Sequence, residues 1–304
     1  MFMKGIEIKN LCKSYEDNTV LDKINISINE PGVYLLAGPN GSGKTTLFEI
    51  IAGLRKPDSG EIKLFGKNHH DVMFNIKDKK QLGFLCQQNN LRRNSTVKEE
   101  LNLVKDLFSI ELDDIEYLKK FNLEKYYMTK TQNLSGGTKR RLLIAMVFMA
   151  NQKVVVLDEP ASGLDTFNRD EIWNMISDYS KENIVIVSDH YLNQASAYSD
   201  YLYLLDRGNI ILKDKPVNIK KQFKSKQIIK VRKDRFDEVL AIVKEHCKDY
   251  EVRISGTVHN IYINDINQTL IRHLEEKVFT SNAIELEDIY FYHTGKYSSQ
   301  GRVN

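Results

Sequence analysis

The sequence predicts an α/β fold: a mostly parallel β-sheet covered by helices on both faces, followed by a small α+β module. The first observation is a set of apolar runs, typical of buried strands, that alternate with helical patterns. These runs are Val33–Ala37, Val154–Leu157, Ile184–Val187 and Tyr201–Leu205. The second observation is a change near Lys220, where the chain becomes basic and polar before shorter strand and helix patterns begin.

Alternating residues at the N-terminus predict two half-buried strands ahead of this sheet. Ile6 and Ile8 point to one face and have polar residues on the other, and Ile24, Ile26 and Ile28 repeat the pattern. A Glu-Pro-Gly turn then leads into the first fully apolar strand.

The helices between the strands are predicted from spacing and from capping residues. Residues 44–54 are predicted to form a helix that ends near Lys56-Pro57. Residues 91–132 are predicted to be helical, because Thr96 and Glu99 form a capping-box pattern ahead of apolar residues at helical spacing.

The chain is predicted to divide into a large domain, 1–218, a linker, 219–227, a small module, 228–295, and a flexible tail, 296–304. The module is predicted to contain strands near 228–231, 250–254 and 260–263 and helices near 236–245, 268–276 and 286–292. About 70 residues suffice for a small α+β domain.

Composition excludes several functional classes. The net charge of +3 lacks the basic excess of a dedicated nucleic-acid binder. Cys12, Cys86 and Cys247 are widely spaced and predict reduced thiols, and the His69-His70 pair predicts a surface loop rather than a metal site. The longest apolar run, 142–150, is shorter than the roughly 20 residues that a membrane-spanning helix needs. A membrane function would therefore depend on other chains.

A glycine-rich loop follows the first apolar strand and matches G-x-x-x-x-G-K-[ST] in full. Its glycines allow backbone N–H groups to surround phosphate oxygens at the start of a helix. Lys44 is expected to reach the β- and γ-phosphates, and the Thr45 hydroxyl to bind Mg²⁺. The predicted nucleotide-binding residues of this segment are Gly38, Pro39, Asn40, Gly41, Ser42, Gly43, Lys44, Thr45 and Thr46. Kinases, GTPases, helicases and transport ATPases all use such a loop.

Two carboxylates follow the buried strand 154–157. Asp158 is expected to hold Mg²⁺, and Glu159 to orient or deprotonate an attacking water. A solvated acidic turn is the alternative interpretation, which the phosphate loop disfavours. A further candidate is the start of an apolar helix, where Ser135 is a suitable N-cap and is followed by Gly136 and Gly137. Two glycines weaken a helix, so they indicate close approach to a phosphate.

The order of these motifs resembles the ATP-binding cassette (ABC) family over about residues 4–215. Leu134 to Gly137 match the family signature, and Thr138 stands where glutamine is usual. The resemblance implies a P-loop NTPase of ABC type. Such a cassette has a RecA-like core, an antiparallel β subdomain and an α-helical subdomain, here about 90–150, with the α+β module at the C-terminus.

The resemblance also implies roles for individual residues. Tyr15 falls where the family stacks an aromatic ring on adenine, and Gln87 where a glutamine contacts Mg²⁺ and water and senses the membrane partner. Asp165 belongs to the loop that crosses the dimer interface, and His190 falls where a histidine contacts the γ-phosphate. The implied catalytic residues are Glu159, His190, Gln87 and Lys44, and the implied metal ligands are Thr45, Gln87 and Asp158.

In this family two cassettes meet head to tail, so Ser135, Gly136 and Gly137 would act on ATP held by the other chain. The resemblance implies ATP and Mg²⁺ as cofactors, and ATP hydrolysis that drives separately encoded transmembrane permease subunits. It also implies a homodimer or heterodimer of ATP-binding subunits at the cytoplasmic face of the membrane. No nucleic-acid partner is expected.

The C-terminal stretch 286–295 and the residues 135–141 are similar to subunits of bacterial exporters of drugs, peptides or lipids. Export is therefore the favoured direction. An importer ATPase remains an alternative. Two others are a soluble cassette ATPase of translation or DNA repair, and a protein that binds ATP without hydrolysing it.

Overall fold

The computed structural model describes residues 5–87, 91–255, 258–264, 267–276, 279 and 281–295. The chain divides into two compact units. The first contains Met1–His190 and Tyr198–Leu212, and the second contains Tyr191–Ala197 and Lys213–Asn304. The predicted flexible tail, 296–304, lies outside the described residues.

The centre of the first unit is a six-stranded sheet in the order β10-β9-β3-β8-β7-β6. Its strands are β3 (Gly32–Ala37), β6 (Leu82–Leu85), β7 (Val154–Leu157), β8 (Ile184–Ser188), β9 (Tyr201–Asp206) and β10 (Asn209–Asp214). The pairs β3–β8, β3–β9, β7–β8 and β6–β7 are parallel. This arrangement, with the intervening helices described below, confirms the predicted α/β fold.

A second, antiparallel sheet has the order β2-β1-β4-β5. Its strands are β1 (Ile6–Tyr15), β2 (Asn18–Ile28), β4 (Ser59–Leu64) and β5 (Lys67–Asn68). The alternating isoleucines of β1 and β2 are buried as the pattern predicts, and they form one core with Leu47 and Phe48 of helix α1 (Lys44–Ile51).

The first unit contains further helices besides α1. They are α2 (His69–Phe74), α3 (Ile76–Lys79), α4 (Val97–Phe108), α5 (Asp114–Lys119), α6 (Gly136–Met149) and α7 (Thr166–Ser180). The predicted capping box of Thr96 and Glu99 opens α4. Helix α4 then ends because Ser109 adopts a left-handed conformation, so the segment 91–132 is not one helical run.

Two further predictions need correction in the first unit. Helix α1 ends at Ile51 rather than Leu54, since the chain turns at Gly53, where φ is +73°. The His69-His70 pair lies at the start of helix α2 rather than in a loop. His69 Nε2 lies 3.0 Å from the Ile51 carbonyl oxygen.

The second unit contains an antiparallel sheet in the order β12-β13-β11-β14. Its elements after α8 (Leu192–Ala197) are α9 (Pro216–Gln222), β11 (Gln227–Arg232), α10 (Phe236–His246), β12 (Tyr250–Ser255), β13 (Val258–Ile263), α11 (Gln268–Glu276), β14 (Ser281–Ala283) and α12 (Leu286–Thr294). From β11 to β14 this is a ferredoxin-like β-α-β-β-α-β arrangement. Side chains of α10 and α11 share one core with the sheet.

The boundaries of the second unit differ from those predicted from the sequence. Helix α8 belongs to it, and the Asn193 side chain accepts a hydrogen bond from the Glu287 N–H of α12 at 3.2 Å. The segment 219–227, predicted as a linker, includes the end of helix α9 and the first residue of β11. Pro216 at the first helical position pre-sets the backbone for α9. In the part of the chain that the structure describes, no helix is both long and apolar enough to cross a bilayer.

Candidate nucleotide-binding and hydrolytic site

The phosphate loop runs from the end of β3 to the start of α1. Gly41 and Gly43 have φ angles of +80° and +107°, which glycine adopts without strain. The Lys44 ammonium is buried under the loop and donates to the carbonyl oxygens of Gly38, at 2.7 Å, and Pro39, at 3.1 Å. Burial lowers the pKa of Lys44, an effect that the nearby acidic groups partly offset.

The loop fits a phosphate group. Ser42 is 3% exposed, and its hydroxyl has no hydrogen-bond partner within the described residues. A side chain on Gly38 would overlap this hydroxyl at 2.6 Å, so glycine keeps the space beside it clear. A buried, unused donor beside a lysine ammonium and a helix N-terminus is suited to an anion with several oxygens.

The first acidic residue lies directly opposite the loop. Asp158 follows β7 and accepts hydrogen bonds from Thr45 Oγ1 at 2.8 Å and from Ser188 Oγ at 2.6 Å. Hydroxyl and carboxylate oxygens are the ligands that Mg²⁺ prefers. The donor set at this point therefore fits Mg²⁺.

The second acidic residue turns toward two other predicted residues. Glu159 Oε2 accepts from Gln87 Nε2 at 2.8 Å and lies 4.0 Å from His190 Nδ1. Its backbone φ is +47°, a conformation that is uncommon for residues other than glycine. The Glu159 N–H donates to Ser188 Oγ at 2.8 Å, which holds this turn in place. Residues from three strand ends therefore meet at one carboxylate.

Sequence reasoning missed two residues that support this acidic turn. Ser188 contacts both acidic residues and is completely buried. Arg140 of α6 donates to the carbonyl oxygens of Asp158, Glu159 and Pro160 at 3.1, 3.0 and 2.7 Å. Burial lowers the pKa of Arg140. Ser188 follows Val187, which pairs with Leu157 at the ends of the adjacent parallel strands β7 and β8, and the sequence alone does not specify that these strands are neighbours.

The signature residues form a separate group at the start of α6. Ser135 caps the helix by accepting from the Thr138 N–H at 3.2 Å. Gly136 is open, since an added Cβ would meet nothing within 4 Å. Gly137 is buried, and a Cβ there would lie 2.7 Å from the Asn168 side-chain oxygen.

Asn168 connects this helix start to Asp165. The Asp165 carboxylate caps α7 by accepting from the Asn168 N–H at 3.0 Å and from its side-chain amide at 2.6 Å. These hydrogen bonds lower the pKa of Asp165. Sequence reasoning did not identify Asn168, and the motif spacing carries no signal for it.

Tyr15 lies at the end of β1, away from the acidic turn along the chain. Its ring is 37% exposed, and the charged groups of Lys13 and Arg55 lie 5.4 and 5.3 Å from its centroid. A partly exposed aromatic ring can stack on a base. Of the remaining loop residues, Asn40 is exposed, and Pro39 and Thr46 are partly buried.

Comparison with known proteins agrees with this geometry. The ABC transporter family model matches residues 21–162. The lipopolysaccharide export system ATP-binding protein LptB of Haemophilus influenzae is 30% identical, covering 71% of this chain and 93% of that protein. The Nod factor export ATP-binding protein I of Rhizobium etli is 27% identical, covering 97% of this chain and 95% of that protein.

Other relatives are much longer than this chain. The retinal-specific phospholipid-transporting ATPase ABCA4 of Mus musculus is 32% identical over 72% of the chain, which spans only 10% of that protein. Among solved structures, a dimeric ATP-binding cassette in a post-hydrolysis state with ADP and Pi is 26% identical, has a TM-score of 0.60 and is covered over 98% of its length.

The fold and the phosphate loop thus define a nucleotide-binding cassette. The chain belongs to the ABC transporter family, and it is an ATPase cassette of that family.

Proposed function

We propose that this chain hydrolyses ATP with Glu159 as the general base and thereby drives a separate transmembrane permease. The observation that supports this most is the contact of Glu159 Oε2 with Gln87 Nε2 and its 4.0 Å distance from His190 Nδ1. Glu159 would take a proton from the attacking water, and Gln87 would orient that water. His190 and Lys44 would stabilise charge that develops on the γ-phosphate.

ATP and Mg²⁺ are the proposed ligands of the site. The phosphate loop from Gly38 to Thr46 would hold the phosphates, and the ring of Tyr15 would stack on adenine. Thr45, Asp158 and Gln87 would hold Mg²⁺, which in such ATPases neutralises charge between the β- and γ-phosphates. The Thr45–Asp158 hydrogen bond and the unused Ser42 hydroxyl support this assignment.

We propose that two cassettes act together. Ser135, Gly136 and Gly137 of one chain would contact the ATP held by the other, and Asp165 would lie where the two chains meet. This arrangement agrees with the open position of Gly136 and with the similarity to a dimeric cassette structure. The second cassette can be an identical chain or a close relative.

Export is the direction we propose, for a drug, a peptide or a lipid, at the cytoplasmic face of the membrane. The support is the similarity, over 97% of the chain, to an ATP-binding protein named for Nod factor export. That similarity includes the second unit, whereas a match to the cassette alone would not discriminate among transporters.

The catalytic assignment is tested by Glu159→Gln. This change keeps the shape of the side chain but removes the base, so turnover should fall by at least about 10²-fold. ATP affinity and ATP-dependent dimerisation should persist. Glu111→Gln, an equivalent change at an exposed glutamate, is the control and should leave turnover unaltered. Normal turnover of the Glu159 variant would contradict the assignment.

The transport assignment is tested by purifying the chain from membranes in mild detergent. A polytopic membrane protein in a stoichiometric complex, without a substrate-binding protein, supports an exporter. A permease together with a substrate-binding protein indicates an importer. Recovery with ribosomes or DNA alone would show that the cassette serves a soluble function.

A further inference from the structure

Strand β12 forms one edge of the sheet in the second unit. All six of its residues pair with β13 without a register shift. The opposite edge, β14, has only three residues. Proteins usually protect edge strands with charged side chains, proline, a bulge or a covering segment. β12, with the sequence Tyr-Glu-Val-Arg-Ile-Ser, has no proline and no register shift, and its two charged residues, Glu251 and Arg253, have opposite signs.

The direction of its backbone groups follows from two neighbouring hydrogen bonds. The Asn264 N–H donates to the Asp249 carbonyl at 3.3 Å, and the Lys226 N–H donates to the Ile263 carbonyl at 2.9 Å. Backbone groups of successive residues in a strand point to alternate sides. Those of Glu251 and Arg253 therefore face β13, whereas those of residues 250, 252 and 254 face the open edge.

The side chains on the two faces of β12 differ in character. Tyr250 and Val252 pack against the core formed with α10 and α11, and Ile254, on the same face, is 65% exposed. Glu251 and Arg253 occupy the other face, where their side chains pair at 3.1 Å and are 33% and 40% exposed. The Arg253 guanidinium also donates to the Val252 carbonyl at 3.3 Å, which is one of the outward groups.

Charge selects one register for pairing this edge with itself. An antiparallel pair must place outward groups opposite outward groups, which permits a two-fold axis at residue 251, 252 or 253. An axis at residue 251 sets Glu251 against its own copy, and an axis at 253 does the same for Arg253. An axis at Val252 sets each Glu251 opposite an Arg253 and each Tyr250 opposite an Ile254.

We propose that β12 pairs antiparallel with β12 of a second copy of this chain, centred on Val252. Residues 250, 252 and 254 of each copy would then exchange backbone hydrogen bonds, and Ile254 would be covered. Like charges directly opposite one another are unfavourable across strands, and the registers centred on 251 and 253 each place one such pair at the centre of β12, whereas the register centred on Val252 places none there.

This contact is distinct from the nucleotide-dependent contact of two cassettes proposed above. It lies entirely in the second unit and uses no residue of the phosphate loop or the acidic turn. It therefore forms without ATP. Experiments on nucleotide-free protein test it alone, and its failure would leave the proposed hydrolytic function untouched.

The first test is sedimentation equilibrium of the full chain in EDTA without nucleotide. We expect a concentration-dependent dimer. Glu251→Arg or Arg253→Glu alone turns two attractive pairs into two repulsive ones and should raise the dimer dissociation constant about tenfold or more. The double variant carrying both changes restores opposite charges and should dimerise like the original chain.

Lys233→Glu is the matched control for Arg253→Glu, because it makes the same charge change beyond β11, two strands from the edge. It should dimerise normally. Circular dichroism of every variant monitors folding of the chain. A monomer at all concentrations, or single variants that dimerise as well as the double variant, would overturn the proposal.

The second test is disulfide trapping between two differently substituted chains. Glu251→Cys in one chain and Arg253→Cys in the other would place the thiols in a directly opposed, non-hydrogen-bonded pair, where side chains approach most closely. We expect the mixture to form a 251–253 cross-linked peptide, identified by mass spectrometry. Equal cross-linking at 251–251 within the Glu251→Cys chain alone would show a different register and overturn the assignment.

Discussion

Ser188 joins the two acidic residues of the site, although it belongs to no recognised motif. Its hydroxyl donates to Asp158 Oδ1 at 2.6 Å and accepts from the Glu159 N–H at 2.8 Å. Ser188→Ala removes both hydrogen bonds at a position that is 0% exposed, so no bulk water is available to replace them. The change is small in volume and leaves the strand pairing of β8 intact.

The expected loss of stability can be worked out from these contacts. A hydrogen bond to a charged group contributes about 1.5–3 kcal/mol, and a neutral one about 1 kcal/mol. Ser188→Ala should therefore reduce the free energy of unfolding of the first unit by about 2–4 kcal/mol. Glu159 would also lose the contact that maintains its positive φ, and a base displaced by about 1 Å can lower turnover by about 10²-fold.

Trp173 provides a direct assay for the stability change. It is the only tryptophan of the sequence, is fully buried and lies in the first unit. Its fluorescence during urea unfolding therefore follows that unit. Ser180→Ala is the control, because Ser180 is also buried but, within the described residues, its hydroxyl donates to the helix carbonyl of Ser177 and contacts no carboxylate. Steady-state ATP hydrolysis gives the effect on turnover.

Two results would refute this reasoning. A Ser188→Ala variant as stable as the control variant would show that the hydroxyl contributes little to the acidic turn. Loss of stability with unaltered turnover would show that Glu159 keeps its position without the serine. A fall in turnover together with an unchanged KM for ATP would agree with a positioning role.

Three further predictions follow from the geometry. Gly137→Ala should impair folding of the first unit and ATP turnover, because the methyl overlaps the neighbouring side-chain amide, whereas Gly136→Ala should leave urea stability nearly unchanged. Burial lowers the pKa of Lys44 below its ordinary value of 10.5. As the pH rises, the Lys44 ammonium therefore loses its proton, and with it its charge, at a lower pH than an exposed lysine does. ATP affinity measured by titration should fall in that range, whereas Lys44→Arg should show no such fall. Asp288 is 2% exposed, and Lys230 Nζ lies 2.7 Å away. Asp288→Asn should lower the free energy of unfolding of the second unit by about 1–3 kcal/mol, measured by amide hydrogen exchange of that unit.

Strands were the part of the fold that the sequence predicted best. A run such as Val154–Leu157 is apolar throughout because helices cover both faces of a parallel sheet, and the strand lies at the predicted residues. Helix ends were predicted less well. Helix α4 stops at Ser109 in a left-handed conformation, and serine gives no sequence signal for that geometry. Strand β14, Ser281–Ala283, has no apolar pattern and exists only through its pairing with β11.

In the site, too, residues that are adjacent in the sequence were predicted, whereas contacts between distant segments were not. The phosphate loop and the pair Asp158–Glu159 are continuous in sequence, so their residue types alone indicate their chemistry. Ser188 and Arg140 act through contacts between distant segments: one lies at the end of a parallel neighbouring strand, and the other reaches across from a helix. Such contacts depend on strand order and helix packing, which residue spacing does not specify.

These non-local contacts also connect, within one chain, the start of helix α6 with the acidic turn formed by Asp158 and Glu159. Arg140, five residues after Ser135 along the chain, binds the carbonyl groups of Asp158 and Glu159. In the proposed pair of cassettes, the helix start contacts the ATP of one site and the acidic turn hydrolyses the ATP of the other. A displacement of α6 caused by ATP at the first site would therefore move the carboxylate at the second. Within each chain, Arg140 is the contact that would carry such a displacement from α6 to the acidic turn.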